Sequence, residues 1–389
     1  MHKAIRVIHE HADVLREEHA KCDELGHLTD RTVGILKLSG GFRLLLSKDA
    51  GGYAEDPRVF AEWVRTVARY NPSAGWVAGV CGVHPWEISV ADPKVRQEVY
   101  GDGPDTVTAS PYAPVGKLVP SDGGFLFSTE VVYSTGCDVS EWFVLAGMVV
   151  GQDGAPATPP RPVHVVLPRE EVEIVPDSWN VMGLKGTGSK RVRVPGVFVP
   201  AHRTLEQGRL MAGGYWDAQP DEPLYRIPFV AVFGPSIAHA LCGIFRGFLD
   251  QFTDYLKDRR ATFGSTAKND PHQQRALVHA ESELEATIAH LDKLWGEMWD
   301  KAVAGEEITV KDRVTLAAHQ KVGCARVMGA LELIWRHAGS ASRWTHLPME
   351  RYYRDMQVGG SHFGSDPTTV YEPFTELALN PDAQPVGMF

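Results

Sequence analysis

Residues 179–200 read WNVMGLKGTGSKRVRVPGVFVP, and this glycine-rich stretch decides the fold. A phosphate-binding P-loop needs Lys directly after the last glycine, then Ser or Thr, and a helix behind it. Here Ser189 precedes Lys190, and the alternating VRV that follows predicts a strand. A dinucleotide-binding turn is unsupported as well, because no Gly-x-Gly-x-x-Gly lies between a strand and a helix. The stretch is either a hairpin between strands, which composition alone favours, or a turn at which Thr187 and Ser189 approach a cofactor.

Other short apolar runs lie near this stretch, between about residues 111 and 210. Glycine and proline bound each run, which is typical of antiparallel strands. The runs are Phe125–Phe127, Trp142–Leu145 and Val163–Leu167.

The segments on either side have a helical period. Apolar residues recur between Leu277 and Met298 at three-, four- and seven-residue steps, which predicts one long helix, and a second helix is expected over about 312–338. The chain therefore reads as helices, then strands, then helices. We expect domains at 1–110, 111–212 and 213–389.

The composition excludes several classes of protein. The chain has 389 residues, of which 43% are hydrophobic, so it can bury a large core and is not disordered. Its net charge is −10, from 39 Lys+Arg against 49 Asp+Glu, which disfavours nucleic acids and anionic membranes as partners. Five cysteines without Cys-x-x-Cys spacing indicate neither a zinc site nor a disulfide framework.

Two segments bear on localisation. The N-terminal residues carry charges every few positions, which excludes the apolar core of a signal peptide. Residues 227–245 contain no Lys, Arg, Asp or Glu, but Pro228, Gly234 and His239 suit a buried helix better than a membrane span. We expect a soluble, cytoplasmic protein with reduced cysteines.

Three further segments carry a resemblance: YSTGCDVSEW at 133–142, RRATFG at 259–264 and RYYRD at 351–355. Together with the glycine-rich stretch, in this order, they resemble the acyl-CoA dehydrogenase superfamily. The resemblance implies an α+β fold with an N-terminal helical domain, a central antiparallel β-barrel domain and a C-terminal four-helix bundle. It also implies a homotetramer that holds flavin between barrel and bundle, with help from a neighbouring subunit.

The C-terminal region favours one branch of this superfamily. Acyl-CoA dehydrogenases use a Glu in a Tyr-Glu-Gly turn, which Tyr371-Glu372-Pro373 imitates, but it lies seventeen residues after Asp355, which is too far. Between them is GGSHFGSD, with His362 seven residues after Asp355. This arrangement, together with NPSAGW…H at 71–84, resembles the group D flavin-dependent monooxygenases. Relatives include the oxygenase components of 4-hydroxyphenylacetate and 3-hydroxy-secosteroid hydroxylases, and indole monooxygenases.

The resemblance assigns roles to residues of the active site. It implies that His362 lies beside the flavin and supports a C4a-hydroperoxyflavin. His84 and Ser110 would bind the hydroxyl of a phenolic substrate, and Thr135 would lie near the flavin N5 and C4a atoms. Asp355 is expected to pair with a local arginine. The flavin-binding residues that the resemblance implies are Ser134, Thr135, Trp179, Thr187, Ser189, Arg260, Phe263 and His362.

The residue types suit aromatic hydroxylation. Histidine titrates near neutrality and can remove a phenol proton, and the planar guanidinium of Arg260 suits flavin phosphates. The expected enzyme is the oxygenase component of a two-component monooxygenase. It would take reduced flavin, FADH2 or FMNH2, from an NAD(P)H-dependent reductase and use O2, without a metal, to hydroxylate a phenolic or indolic molecule.

Three other interpretations stay open at this point. The chain could be an acyl-CoA dehydrogenase with Glu372 as its base. It could be an amine or amino-sugar N-oxygenase on the same fold, or a helical scaffold that has no catalytic activity.

Overall fold

The structure is a computed structural model that describes residues 1–258, 267–385, 387 and 389. Its N-terminal part is helical because amphipathic segments with good N-caps follow each other closely; Thr29, Asp56, Asn71 and Asp92 each accept a hydrogen bond from a backbone N–H of the following first turn. These helices are α1 (Lys3–Glu10), α2 (Ala12–Leu25), α3 (Asp30–Ser39), α4 (Pro57–Tyr70), α5 (Pro72–Cys81), α6 (His84–Ser89) and α7 (Pro93–Tyr100).

A mixed sheet follows the helices. Its strands are β1 (Thr108–Ala109), β2 (Gly116–Ser121), β3 (Gly124–Ser134), β4 (Trp142–Val149), β5 (Pro162–Pro168), β6 (Glu173–Ile174), β7 (Lys190–Pro200) and β8 (Thr204–Glu206). The spatial order is β6-β7-β3-β2-β4-β5-β8, with β1 beside β4. The predicted strand runs are confirmed. Most strand pairs are antiparallel, as the resemblance implied, but the sheet is mixed, because β4 pairs in parallel with both β1 and β2.

The sheet separates two cores because its side chains alternate between faces. On β5, Val163, Val165 and Leu167 pack into the core of the sheet. Val166 belongs to the helical core instead, and His164, two residues before it, lies on the same face of the strand. One face of the sheet therefore carries a histidine toward the helices.

The C-terminal part is again helical, and its long amphipathic helices pack on one another as a bundle. The helices are α8 (Gln207–Met211), α9 (Phe229–Asp258), α10 (Pro271–Ala304), α11 (Val310–His337), α12 (Pro348–Gly360) and α13 (Thr368–Leu379). The two helices predicted from periodicity are confirmed as α10 and α11. Helix α9 is long and apolar enough to cross a bilayer, but 89% of its most apolar window is buried within the fold, as in a core helix.

Helix α9 contains a proline, which is compensated by a neighbouring helix. Pro235 has no N–H, so the carbonyl of Ala231, four residues earlier, loses its helical donor. The indole Nε1 of Trp295, on α10, donates to this carbonyl at 2.7 Å. The fully buried Trp295 thus satisfies a group that would otherwise be left unpaired in the core.

Candidate active site

Helix α5 runs through the interior and connects the parts of the site. Asn71 caps it by accepting a hydrogen bond from the Ala74 N–H at 3.0 Å, and Pro72 occupies its first position. Every residue from Pro72 to Cys81 is buried. The NPSAGW segment is therefore the start of a core helix, and His84 opens the next helix, α6, directly behind it.

A group of buried polar side chains surrounds His84, and we call it the His84 cluster (His84, Glu87, Ser110, Tyr112 and His164). Ser110 Oγ lies 2.8 Å from His84 Nε2, and Tyr112 OH lies 2.7 Å from His84 Nδ1. Tyr112 OH also lies 3.0 Å from Glu87 Oε2, and His164 Nδ1 lies 2.5 Å from Glu87 Oε1. The rings of Tyr112 and His164 stack at 4.9 Å. The predicted contact between His84 and Ser110 is present in this cluster.

Burial sets the charges in the His84 cluster. His84, Glu87 and His164 are each 0% exposed. Burial lowers the pKa of His84, an effect that the nearby Glu87 carboxylate only partly offsets, so His84 is neutral at pH 7. Burial raises the pKa of Glu87, but the charge and hydrogen bond of His164, together with the nearby His84 ring, lower it to about 2. The cluster thus contains an ionised carboxylate beside a neutral imidazole.

A second group, the hydroxyl cluster (Thr135, Thr187 and Ser189), lies where the glycine-rich turn meets the end of β3. Ser189 Oγ lies 2.8 Å from both Thr135 Oγ1 and Thr187 Oγ1. The turn is held to β3 by the Gly136 N–H, which donates to the Thr187 carbonyl at 2.9 Å. The three side chains are buried, at 5% exposure or less.

The end of β3 is irregular just before the hydroxyl cluster. The register with β7 shifts between Val131 and Ser134, and Tyr133 has a φ of 66°. This bulge leaves Tyr133 68% exposed and turns Ser134 inward. Ser134 Oγ is buried without a hydrogen-bond partner among the described residues.

Leu184 organises the glycine-rich turn from a left-handed conformation, with a φ of 50°. Its carbonyl accepts hydrogen bonds from Thr187 Oγ1 at 2.8 Å and from Trp179 Nε1 at 3.3 Å. Its N–H donates to Asp355 Oδ1, whose other oxygen lies 2.8 Å from His19 Nε2. Asp355 therefore does not pair with a local arginine, as the sequence suggested, but holds the turn in place.

His362 follows α12, and its ring meets the edge of Trp76 at 5.6 Å. The Gly364 N–H donates to His362 Nδ1 at 3.0 Å, so the proton of the neutral ring is on Nε2. Burial, with a further contribution from Lys321, lowers the pKa of His362 to about 4. At neutral pH His362 is thus an uncharged hydrogen-bond donor.

A cleft lies between α9 and α11 and reaches the segment after His362. Phe233 lines this cleft and also meets the ring of Tyr112 at 5.0 Å, so the cleft borders the His84 cluster. Phe363 and Gly364 line its other side. The cleft is mostly apolar, as expected of a site for an aromatic molecule.

The sequence-predicted residues that the structure describes fall into three places. His84 and Ser110 bond to each other. Thr135, Thr187, Ser189 and Trp179 gather around the glycine-rich turn, with Ser134 next to them. His362 lies apart from both, after α12. Arg260 and Phe263 lie outside the described residues. Glu372 is exposed on α13.

Sequence reasoning missed Glu87, His164 and His19. Glu87 lies three residues after His84, which places both on one face of a helix, and that spacing was a usable signal. His164 interrupts an apolar strand at a position that alternation assigns to a buried face. Nothing in the sequence indicated that His19 would meet Asp355, because 336 residues separate them.

The residues around the glycine-rich turn fit a flavin. The unpartnered Ser134 Oγ is a buried polar atom in need of a ligand or water, and the hydroxyl cluster lies beside it. The half-buried indole of Trp179 and the exposed ring of Tyr133 meet edge-on at 6.2 Å and offer an aromatic surface to a planar ring system. Among the described residues, no group of three His, Cys, Asp or Glu side chains is placed to hold a metal ion.

The chain is similar to known hydroxylases over nearly its whole length. It is 35% identical over 388 residues to a pigment production hydroxylase of Rhodococcus erythropolis, covering 98% of each chain. It is 32% identical to the oxygenase subunit HsaA, a flavin-dependent monooxygenase of Rhodococcus jostii, covering 92% of this chain and 93% of that one. The crystal structure of 3-HSA hydroxylase from Rhodococcus sp. RHA1 superposes with a TM-score of 0.92 at 29% identity, covering 100% of this chain and 99% of the other.

The family model of the acyl-CoA dehydrogenase C-terminal domain matches residues 236–367, so the fold is that of an acyl-CoA dehydrogenase-like flavoprotein. Within this fold, the chain belongs to the family of flavin-dependent monooxygenases that are oxygenase components of two-component systems. It is an enzyme with a flavin cofactor. The predicted fold and the choice of the monooxygenase branch are confirmed.

Proposed function

We propose that the chain hydroxylates a phenolic small molecule whose hydroxyl group binds at Ser110 and His84. The observation that carries this proposal is the 2.8 Å contact between Ser110 Oγ and Nε2 of a fully buried, neutral histidine. Such a pair can accept the proton of a phenol, and the resulting phenolate is a better nucleophile at the ring carbon. The apolar cleft next to the cluster would hold the aromatic ring.

When bound, the reduced flavin supplies the two electrons that activate O2, so that one oxygen atom enters the ring and the other leaves as water. Ser134, Thr135, Thr187, Ser189 and Trp179 would hold it at the glycine-rich turn. The hydroxyl groups there donate hydrogen bonds without carrying charge. His362 Nε2–H is a neutral donor at pH 7, which suits a reaction that needs hydrogen bonds but little water.

The proposal extends to the reductase partner, the oligomeric state and the location of the enzyme. A separate NAD(P)H-dependent reductase would supply the flavin, since relatives are named as oxygenase components or subunits. We propose a homotetramer in the cytoplasm.

The test is turnover coupled to a general NADH-dependent flavin reductase, against phenols, indoles and amines, with product mass recorded. We expect phenols to gain one oxygen atom. The His84→Asn and Ser110→Ala variants should release more hydrogen peroxide and less product. If indoles or amines gain oxygen and no phenol does, the proposed substrate class is wrong.

A further inference from the structure

The His84 cluster contains an ionised carboxylate that the hydroxylation of a phenol does not by itself require. We propose that Glu87 is a positioning residue: acting through Tyr112, it fixes the proton of His84 on Nδ1, so that the Nε2 lone pair faces Ser110. This inference rests on the proposed function, because it explains how Ser110 and His84 can receive the phenol proton.

The argument starts from the two oxygens of Glu87. An ionised carboxylate only accepts hydrogen bonds. His164 Nδ1, at 2.5 Å from Oε1, and Tyr112 OH, at 3.0 Å from Oε2, must therefore both donate to it. The opposite orientation of the Tyr112 hydroxyl would set an oxygen lone pair against a buried carboxylate, which is unfavourable in a site without solvent.

The single proton of Tyr112 then determines the tautomer of His84. Since the hydroxyl donates to Glu87, its oxygen accepts from His84 Nδ1, which lies 2.7 Å away. His84 is neutral, so its Nε2 carries a lone pair and accepts from Ser110 Oγ–H at 2.8 Å. The Ser110 oxygen is left free to accept a hydrogen bond from the hydroxyl of a substrate.

The chain of donors gives a complete path for one proton. As the phenol O–H bond breaks, its proton moves to Ser110 Oγ, and the proton of Ser110 moves to His84 Nε2. The phenolate and an imidazolium result, and the negative charge of Glu87 stabilises the imidazolium through Tyr112. The proton returns by the same path when the product hydroxyl is re-formed, so the enzyme ends in its starting state.

His164 keeps the hydrogen-bond chain from Glu87 to Ser110 in this orientation. Its ring stacks on Tyr112 at an interplanar angle of 11°, and its Nε2 has no partner among the described residues, so its one polar contact there is with Glu87. The titratable groups around the carboxylate come from several elements. They are His84 on α6, Tyr100 on α7, Tyr112 after β1 and His164 on β5, and Cys81 on α5 faces Tyr112.

The test compares Glu87→Gln and Tyr112→Phe with the wild type, on a phenol and on a fluorinated phenol whose hydroxyl is already ionised at the assay pH. We expect kcat/KM for the neutral phenol to fall about 100-fold in both variants, at the low end of general acid–base contributions. The ionised phenol needs no base, so its kcat/KM should change much less. Tyr112→Phe loses only one hydroxyl and decides the matter if Glu87→Gln does not fold.

The matched control is Tyr100→Phe. Tyr100 is also buried near Glu87, but its hydroxyl has no hydrogen-bond partner among the described residues, so both substrates should turn over as in the wild type. Equal losses on both phenols in the Glu87 and Tyr112 variants, or no loss on either, would overturn the inference.

A measurement on the free protein separates this inference from the proposed function. The ¹⁵N shifts of His84, assigned with His84→Asn, should show the Nδ1–H tautomer in the wild type and its loss in Tyr112→Phe, which removes the acceptor of that proton. A wild type that hydroxylates no phenol contradicts the proposed function, whereas an Nε2–H tautomer in the wild type contradicts the hydrogen-bond chain.

Discussion

Asp355 and Leu184 are 171 residues apart in the chain, yet the Leu184 N–H donates to Asp355 Oδ1 at 2.5 Å. Because His19 takes the other carboxylate oxygen, Asp355 ties α2 and α12 to the turn that carries the hydroxyl cluster. The contact also explains the neighbouring Arg354, which bonds to the Met182 carbonyl of the same turn. The RYYRD segment is thus a support for the glycine-rich turn.

Replacing Asp355 by Ala should therefore weaken both the fold and the binding of flavin. Removing a fully buried carboxylate that accepts two hydrogen bonds should cost about 3 kcal/mol of unfolding free energy. Urea unfolding measures the first effect, and titration with reduced flavin under anaerobic conditions measures the second. Unchanged flavin affinity in a folded Asp355→Ala protein would contradict the role of the turn.

For product formation, the hydroxyl group of Thr135 should matter more than the shape of its side chain. Thr135→Val keeps the volume but loses the bond to Ser189, whereas Thr135→Ser keeps the hydroxyl. We expect coupled product formation to fall about 100-fold in the Val variant, as for loss of one preorganised donor. The Ser variant should stay close to the wild type. The ratio of product to hydrogen peroxide separates these cases.

The neutral state of His362 predicts a dependence of stability on pH. In the unfolded chain its pKa is about 6.5, and in the fold burial and Lys321 lower it to about 4. Between these two pH values the unfolded state binds more protons than the folded state. The contribution of neutral His362 to the free energy of unfolding is therefore present in full above pH 6.5 and is lost as the pH falls toward 4. As the pH is lowered from 6.5 to 4, the midpoint of thermal unfolding should fall less steeply in His362→Gln than in the wild type. The exposed His346→Gln should show the wild-type slope.

Trp295 should stabilise the fold through one hydrogen bond. Trp295→Phe keeps an aromatic ring but leaves the Ala231 carbonyl without a donor beside Pro235. We expect a loss of about 2 kcal/mol in the free energy of unfolding. The control is Trp344→Phe at a site that is 63% exposed, where the change should stay within about 0.5 kcal/mol.

Glu372 should be dispensable. Its side chain is exposed on α13, so Glu372→Gln should leave turnover with reduced flavin unchanged. Anaerobic addition of an acyl-CoA to the flavin-loaded wild type should not bleach the flavin. Bleaching that disappears in the Gln variant would restore the dehydrogenase interpretation.

Much of the fold could be predicted because periodicity is a local property. The spacing of apolar residues identified α10 and α11, and glycine and proline bounded the strands. The parallel pairing of β4 could not be foreseen, because it depends on which strands become neighbours after the chain has folded. Short runs of this kind carry no information about direction.

The site was predictable only in part, for a similar reason. The contact of His84 with Ser110 came from a family resemblance that brings known pairs with it. Glu87 and His164 meet across 77 residues, only because α6 packs against the His164 face of β5. Asp355 looked like a partner for a nearby arginine. Its actual partner is the buried backbone N–H of Leu184, and a sequence does not show that Leu184 adopts the left-handed conformation.

The burial of the cysteines has a consequence for the lifetime of the enzyme. All five thiols are free and buried, and burial raises the pKa of Cys137 and of Cys324 to about 12 and those of Cys81 and Cys242 further still. Peroxide oxidises thiolates, not thiols, so these sulfurs resist the oxidant that escapes from each failed turnover. Damage should fall on exposed thioethers instead, among them Met182, which is 53% exposed on the glycine-rich turn and whose sulfoxide can be repaired by reduction.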